Sequence, residues 1–323
     1  NLYGVDIMDE ATEIARLRLF LALVASAETV DQLEPLPNID FNILKGNSLI
    51  GLMQVDDKDF DARQSQGHLF RKSYRELLAE KNRLIDLYRH TGSYTDDLRS
   101  MRDEIETKKR EAVETLDEIL LSEFQKLGIK FEQATWDDKK NKEGKPKRRP
   151  LTIKDIEALE PFHWGYEFDE IINKRGGFDA IIANPPWEVF QTYEKEFFQE
   201  YVPEIQKKKL RIEDWKKQQV KLMKDDFLRK AWLDYVSKFA HVSKFFKNVQ
   251  QYKNQVSIID GKNVGSKIDL YSYFVEQSFN LLRHGGRCGI LTPGGIYLDL
   301  GVKQLREMLF SETELDNVFG ISN

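Results

Sequence analysis

The residues best placed to do chemistry stand at the end of one apolar run. Phe178-Asp179-Ala180-Ile181-Ile182-Ala183 leads directly into Asn184-Pro185-Pro186-Trp187. Ile181 and Ile182 suit a buried strand. The two prolines cannot donate ladder hydrogen bonds and hold the backbone stiff. Asn184 precedes a proline and is pushed to an extended conformation. The expected result is a rigid tip at the carboxyl end of a strand, the edge where open α/β sheets bind ligands. The Asn184 side-chain oxygen and the Pro185 carbonyl are both acceptors. Together they can receive the two protons of an exocyclic amino group, which favours a tetrahedral nitrogen as it attacks an electrophile. Trp187 offers a flat apolar face for a base taken out of its stack. The plainer alternative is a strand end and proline turn with a core tryptophan.

Other elements must position that tip. Leu2 to Ile7 reads as a short strand ending in an acid. Asp9 or Glu10 can then open a helix to about Ser26, with Ile14, Leu17, Leu21 and Val24 on one face. Phe41 to Leu49 reads as the next strand and a Gly46-Asn47 turn. From about 68 to 127, two stretches keep a three-four spacing. Phe70, Ser73, Leu77, Leu84 and Tyr88, interrupted by Lys81, form the first; Leu98, Met101, Ile105, Ala112, Leu116, Ile119 and Leu127 form the second. They predict an antiparallel helical hairpin, its second helix capped by Ser93 or Thr95. The hairpin reads as a structural spacer or partner arm.

Lys139 to Arg149 holds seven basic residues against Glu143. It reads as a mobile, solvated linker, with a phosphate-contacting loop as the sharper alternative. A helical region follows from about Tyr193 to Tyr252. Lys207 to Lys253 carries fourteen basic residues against five acids, with Trp215, Phe227, Trp232, Phe239 and Phe245 interleaved. That surplus suits a duplex backbone, and most of those aromatics suit a core. Ser266 to Asp269 opens another helix that stops at Gly285-Gly286. Arg287 to Pro293 reads as a strand, Lys303 to Phe310 as a helix, and Leu315 to Phe319 as the start of a strand.

The 323 residues suffice for a sizeable core, and 41% hydrophobic with 32% charged residues is a soluble profile. The net charge of -5 argues against a general nucleic-acid glue. Cys288 is the single cysteine, which excludes an internal disulfide and fits a reducing, cytoplasmic setting. Its place in an expected buried strand gives it a packing role. No apolar run approaches a membrane span of about 18 residues. The five histidines are scattered and no ligand spacing implies a metal. The chain has no initiator Met and starts mid-pattern, so it reads as a fragment.

The tetrad after an apolar strand resembles the catalytic motif of S-adenosylmethionine-dependent amino-methyltransferases. With Phe162-His163-Trp164, Glu167-Phe168 and Gly176-Gly177-Phe178-Asp179 before it, the region is similar to the large adenine-specific DNA methyltransferases of type IIG restriction–modification and phage-defence systems. The resemblance implies that Asn184, Pro185, Pro186 and Trp187 are catalytic. It implies that Asp6 takes the ribose hydroxyls of S-adenosylmethionine, that Ile7 packs on its adenine, and that Asn47 contacts the adenine edge. Taken alone, Asp6 is more often a helix-opening acid, and Asn47 reads as a plain turn residue. The family usually has Tyr at the fourth motif position; Asn at the first leans toward adenine. Lys267 to Tyr271 also resembles a segment that lies beside the catalytic tip in the family, its acid either a cap or a participant. The family's glycine-rich cofactor loop, its later base-clamping aromatic and its specificity domain have no counterpart here. The resemblance covers 1–50 and 160–323 and leaves the intervening insertion unmatched.

The fold expected is α/β: a Rossmann-like, mainly parallel, partial methyltransferase sheet with large helical insertions. The core would occupy 1–57, 151–192 and 263–323. The hairpin and basic linker would fill 58–150, and a basic helical insertion 193–262. The partner implied is double-stranded DNA, with a nuclease and specificity domain fused or associated. RNA or protein-glutamine methyltransfer is the enzymatic rival, because those enzymes share the tetrad. A non-catalytic scaffold that binds DNA or partner subunits is the rival of another class.

Overall fold

The computed structural model describes residues 2–26, 38–64, 72–91, 96–203, 212–264 and 267–320. In chain order the first elements are β1 (Gly4–Asp6), α1 (Asp9–Ala25), β2 (Ile43–Lys45), α2 (Asp57–Gln64), α3 (Tyr74–His90) and α4 (Asp96–Lys126). Four short strands follow: β3 (Phe131–Gln133), β4 (Trp136–Asp137), β5 (Lys142–Glu143) and β6 (Lys147–Arg149). Then come α5 (Ile153–Glu157), α6 (Trp164–Glu167), β7 (Phe178–Ala183), α7 (Glu194–Tyr201), α8 (Ile212–Leu222), α9 (Asp226–Ser237) and α10 (Phe239–Asn248). The last are β8 (Ile258–Ile259), β9 (Lys262–Asn263), α11 (Leu270–Leu281), β10 (Leu282–Ile290), α12 (Gly295–Leu298) and α13 (Lys303–Glu312).

Helices and strands mix as expected, but the strands pair two by two. Among the described residues there are five two-stranded sheets. β1 and β2 are parallel, and β7 pairs with β10. Two compact units divide the chain. One comprises Asn1–Glu123, Thr152–Asp179 and Arg283–Gly286; the other comprises Phe124–Leu151, Ala180–Leu282 and Arg287–Asn323.

In the first unit α3 opens on a capping box, the Glu76 carboxylate accepting from Ser73 N at 2.8 Å. Ser73 is therefore a cap and not part of an apolar stripe. Leu84 and Tyr88 pack with Phe41 and Ile105, flanked by Leu98 and Met101, so α3 and α4 run antiparallel. The expected caps Ser93 and Thr95, and Phe70, lie outside the described residues.

The hairpin is not a free spacer. Lys81, which interrupts its apolar pattern, is fully buried and donates to the Tyr166 carbonyl, with Glu167 O at 3.3 Å. Its ammonium lies 4.3 Å from the centre of the Tyr166 ring. Lys109 pairs with Glu167 at 3.1 Å. An aromatic cluster of Tyr3, Phe162, Trp164, Phe168 and Phe178 fills the same unit, with Trp164 edge-on to Phe162 at 4.8 Å. α1 docks through Thr12 and Arg16, whose guanidinium donates to Ile43 O at 2.6 Å. The stripe expected to pack lies on the other side: Ile14, Leu17 and Leu21 are exposed.

In the second unit the expected linker is a structured ribbon. β3 pairs antiparallel with β6, and β4 with β5. The turn is made by Asn141 at φ 45°, a conformation asparagine tolerates. Ala134 N donates to Ser237 Oγ at 2.8 Å, tying the ribbon to the end of α9. Asp225 caps α9 by accepting from Phe227 N and Leu228 N. Phe197, Phe198, Trp215 and Trp232 form one apolar cluster of this unit and Phe245 is also buried, as most interleaved aromatics were expected to be; Phe227 is exposed. The basic run Lys207 to Arg211 lies outside the described residues.

Four further expectations are corrected. Ile182 is 91% exposed, because no layer of described residues covers that face of β7. Cys288 is exposed, so it does not fill the packing role expected of it. α11 ends at Leu281, and Gly285-Gly286 lies within β10. Leu315 to Phe319 forms no strand: no described segment pairs with it, and Phe319 is 84% exposed.

Candidate active site

The tetrad forms an open corner in the second unit. Asn184 is exposed, Pro185 buried, Pro186 exposed and Trp187 57% exposed. Neither the Asn184 amide nor the Trp187 indole N–H bonds to a described residue. The corner is gripped on both sides. Before it, Leu291 N donates to Ala183 O at 3.1 Å, so β7 is held to the end of β10 up to its last residue. After it, Leu270 N donates to Glu188 O at 3.0 Å and Phe190 N to Ile268 O at 2.8 Å. These flank an antiparallel bridge between Val189 and Asp269. Two prolines and three backbone bonds thus leave the corner little freedom, while its amide and indole face stay accessible.

That bridge brings the Lys267–Tyr271 run beside the tetrad. Asp269 occupies the cap position of α11, yet its side chain makes no capping bond. Burial and the nearby Asp299 carboxyl raise its pKa, against Lys267. Tyr271 is buried and its hydroxyl has no hydrogen-bond partner among the described residues. Burial, then Asp269 and Asp299, push that hydroxyl up to about 12. Tyr271 was not among the expected site residues; the only sequence signal for it was the Lys-x-Asp-Leu-Tyr run.

A cavity of about 720 Å³ begins at Glu188, just past Trp187. Glu188, Glu196, Glu200 and Asp234 line it, with Tyr193 and Tyr235 between them. With Lys238 as the one cation in its lining, this cavity is acidic although the region's composition is basic.

The other expected site residues lie in the first unit. Asp6 ends β1, and β1 and β2 are parallel neighbours with Asp6 opposite Lys45. Asp6 Oδ1 accepts from Met8 N at 2.8 Å, leaving the second oxygen without a described partner. Ile7 is 49% exposed. Asn47 follows β2, its side-chain oxygen accepting from Leu49 N at 3.2 Å, and its amide NH₂ has no described partner. A carboxylate oxygen, an apolar face and an amide thus stand at the carboxyl ends of adjacent parallel strands. That donor set fits a nucleoside, since a carboxylate can accept from ribose hydroxyls and an amide can pair with a base edge.

This loop is stapled to the segment that leads into β7. Asn47 N donates to Glu160 O at 2.7 Å, Phe162 N to Ile50 O at 2.7 Å, and the Trp164 indole to Ser48 O at 3.0 Å. At Gly51, φ +147°, a β-carbon would lie 2.0 Å from the Phe162 carbonyl oxygen, so only glycine fits. Buried His163 accepts from Leu52 N at its Nδ1, 3.3 Å, and its Nε2 meets Asp117 of α4 at 2.9 Å.

These features belong to a restriction–modification methylase. The chain is a member of the Eco57I restriction-modification methylase family, whose pattern matches residues 1–224 and 235–323. It is 33% identical over 214 residues to a Methanocaldococcus jannaschii protein named "Putative type II restriction enzyme and methyltransferase". The aligned part covers 58% of this chain and 18% of that protein, so the chain spans under a fifth of its relative. No solved structure matches. The family match also runs through 51–159, the stretch that the motif resemblance left unmatched. The same stretch supplies Lys81, Lys109 and Asp117 to the packing of residues 163–167. No described helix is long and apolar enough to cross a membrane.

Proposed function

We propose that the intact protein transfers a methyl group from S-adenosylmethionine to the exocyclic amino nitrogen of an adenine taken out of the DNA duplex. The observation that carries this reading is the corner itself, whose Asn184 amide is exposed and unspent and whose indole is open to a flat guest. Asn184 Oδ1 and the Pro185 carbonyl accept the two amino protons and turn the nitrogen lone pair outward. Trp187 stacks on the base and fixes its plane. Pro186 keeps the peptide from relaxing away. Asp6, Ile7 and Asn47 hold the adenosine part of the cofactor. Bound S-adenosylmethionine supplies an electrophilic methyl group. The amine attacks directly, so the chain needs no nucleophile of its own, and rate comes from orientation and placed dipoles. Specificity for a sequence, and any nuclease, reside elsewhere in the protein or its partners.

The test offers the intact protein labelled cofactor with duplex DNA, RNA and a glutamine-bearing protein. Label on the adenine amino group of DNA is expected. Label on protein or RNA alone would overturn the reading, and DNA binding with no label on any substrate would mark a scaffold.

A further inference from the structure

We infer that the β3–β6 ribbon is a docking surface for the phosphate backbone of the duplex, an inference that rests on the DNA reading above. Lys139, Lys140, Lys142, Lys145, Lys147, Arg148 and Arg149 are all exposed on it. Such a run spread along a solvated loop would relax its own repulsion. Here the antiparallel pairings of Phe131–Gln133 with Lys147–Arg149, and of Trp136–Asp137 with Lys142–Glu143, hold the charges together.

The fold neutralises only part of this charge. Arg148 pairs across the strands with Glu132 at 2.9 Å, and Glu132 also takes Lys244 at 2.7 Å. Lys140 reaches Asp137 only at 3.9 Å. Lys139, Lys142, Lys145 and Lys147 make no ion pair with described residues. On β6, residues two apart share a face, so Lys147 and Arg149 stand together, away from the Arg148–Glu132 pair. Arg149 is held over the Phe131 ring at 4.0 Å.

Beside this face lies a groove of about 480 Å³, lined by Trp136, Asp138, Lys147, Arg148, Arg149 and Arg229, in which Arg229 is paired with Asp138 at 3.4 Å. It is the opposite of the carboxylate-lined cavity after Trp187. A concentrated, structured set of cations, in which Lys139, Lys142, Lys145 and Lys147 make no ion pair with described residues, fits a polyanion of regular spacing. In a restriction–modification methylase that polyanion is the substrate duplex, and contacts of this kind position without reading sequence.

The experiment compares the intact protein with a variant carrying Lys139→Gln, Lys142→Gln, Lys145→Gln and Lys147→Gln. All four side chains are exposed and make no ion pair with described residues, so the fold should be unaffected, and circular dichroism and urea unfolding check that it is. Duplex affinity is measured between 50 and 200 mM salt, and methyl transfer at saturating DNA. Each lost phosphate contact removes about 0.9 from the slope of log affinity against log salt. The wild type should therefore lose about a hundredfold more affinity over that range than the variant. The rate at saturating DNA should be unchanged. Equal slopes, in a wild type that binds and methylates duplex, would overturn the ribbon proposal and leave the function standing. A wild type that neither binds nor methylates duplex would overturn both. Poly-glutamate that competes as well as duplex at equal charge would mark a general polyanion surface and overturn the duplex assignment.

Discussion

His163 Nε2 lies 2.9 Å from Asp117 Oδ1, and both side chains are almost completely buried. Because His163 Nδ1 accepts from Leu52 N, the proton sits on Nε2 and is donated to Asp117. One imidazole thereby joins the loop after β2, the segment leading to β7 and the hairpin helix α4. Asp117→Ala should cost about 1–3 kcal/mol by leaving a buried N–H without an acceptor. Asp117→Asn keeps an acceptor and should cost less. Urea unfolding of both variants checks this. Equal stability of wild type and Asp117→Ala would show that α4 is a detachable arm after all.

Legibility followed the range of the forces involved. β1, α1, β2 and the corner could be read from sequence because their signals are local: strand formers, an acid opening a helix, prolines after a strand. Lys81 was legible only as a flaw in a stripe, because its partners, the carbonyls of Tyr166 and Glu167, are remote in sequence. The ribbon was misread for a related reason. Gly144, Pro146 and dense charge signal a loop, and pairing of Glu132 with Arg148 outweighs that signal only once the strands have met. Asn184, Pro185, Pro186 and Trp187 sit together by covalent necessity. The proximity of Asp269 to Val189 came from a family resemblance, and its uncapped carboxylate came from neither pattern nor motif.

Lys81 makes stability depend on pH in an unusual direction. Burial pulls its pKa from the ordinary 10.5 down to about 8, partly opposed by Glu167. Between those values the unfolded chain binds more protons than the folded one, so stability rises with pH. Below pH 8 both states are protonated and the cost of burying the charge is fully present, about 3 kcal/mol. Above pH 10 the buried hydroxyls of Tyr74 and Tyr166, raised by burial, act the other way. Stability should therefore climb by about 2 kcal/mol between pH 8 and 10. Lys81→Met should flatten that rise. Urea unfolding at pH 7.5, 8.5 and 9.5 makes the comparison, and an unchanged rise in the variant would rule out Lys81 as its source.

The corner makes separable predictions for its two exposed side chains. Asn184→Ala removes an acceptor needed most as the nitrogen becomes tetrahedral, so methyl transfer should fall by about a hundredfold or more. Duplex affinity should barely change, since phosphate contacts supply most of it. Trp187→Ala instead loses stacking on one base, about 1–3 kcal/mol. Its loss should shrink when the target adenine is mispaired or abasic-opposed, because such a base leaves the stack more easily. Single-turnover rates on paired and mispaired duplexes distinguish the two. Full activity in Asn184→Ala would remove the amine-activating role.

Asn47 offers a gain-of-affinity test on the other half of the proposed site. Its side-chain oxygen already accepts from Leu49 N at 3.2 Å, and a carboxylate could keep that bond. Asn47→Asp replaces the unspent NH₂ by a second, charged oxygen facing the proposed adenine edge. A hydrogen bond to a charged group is worth about 1 kcal/mol more than a neutral one, so S-adenosylmethionine should bind about fivefold tighter. Asp6→Ala should weaken binding, since ribose hydroxyls lose their acceptor. Calorimetric titration of the intact protein with S-adenosylmethionine reads both. Weaker binding by a well-folded Asn47→Asp would mean that the amide donates to the cofactor through its NH₂. No effect from either variant would move the cofactor away from the ends of β1 and β2.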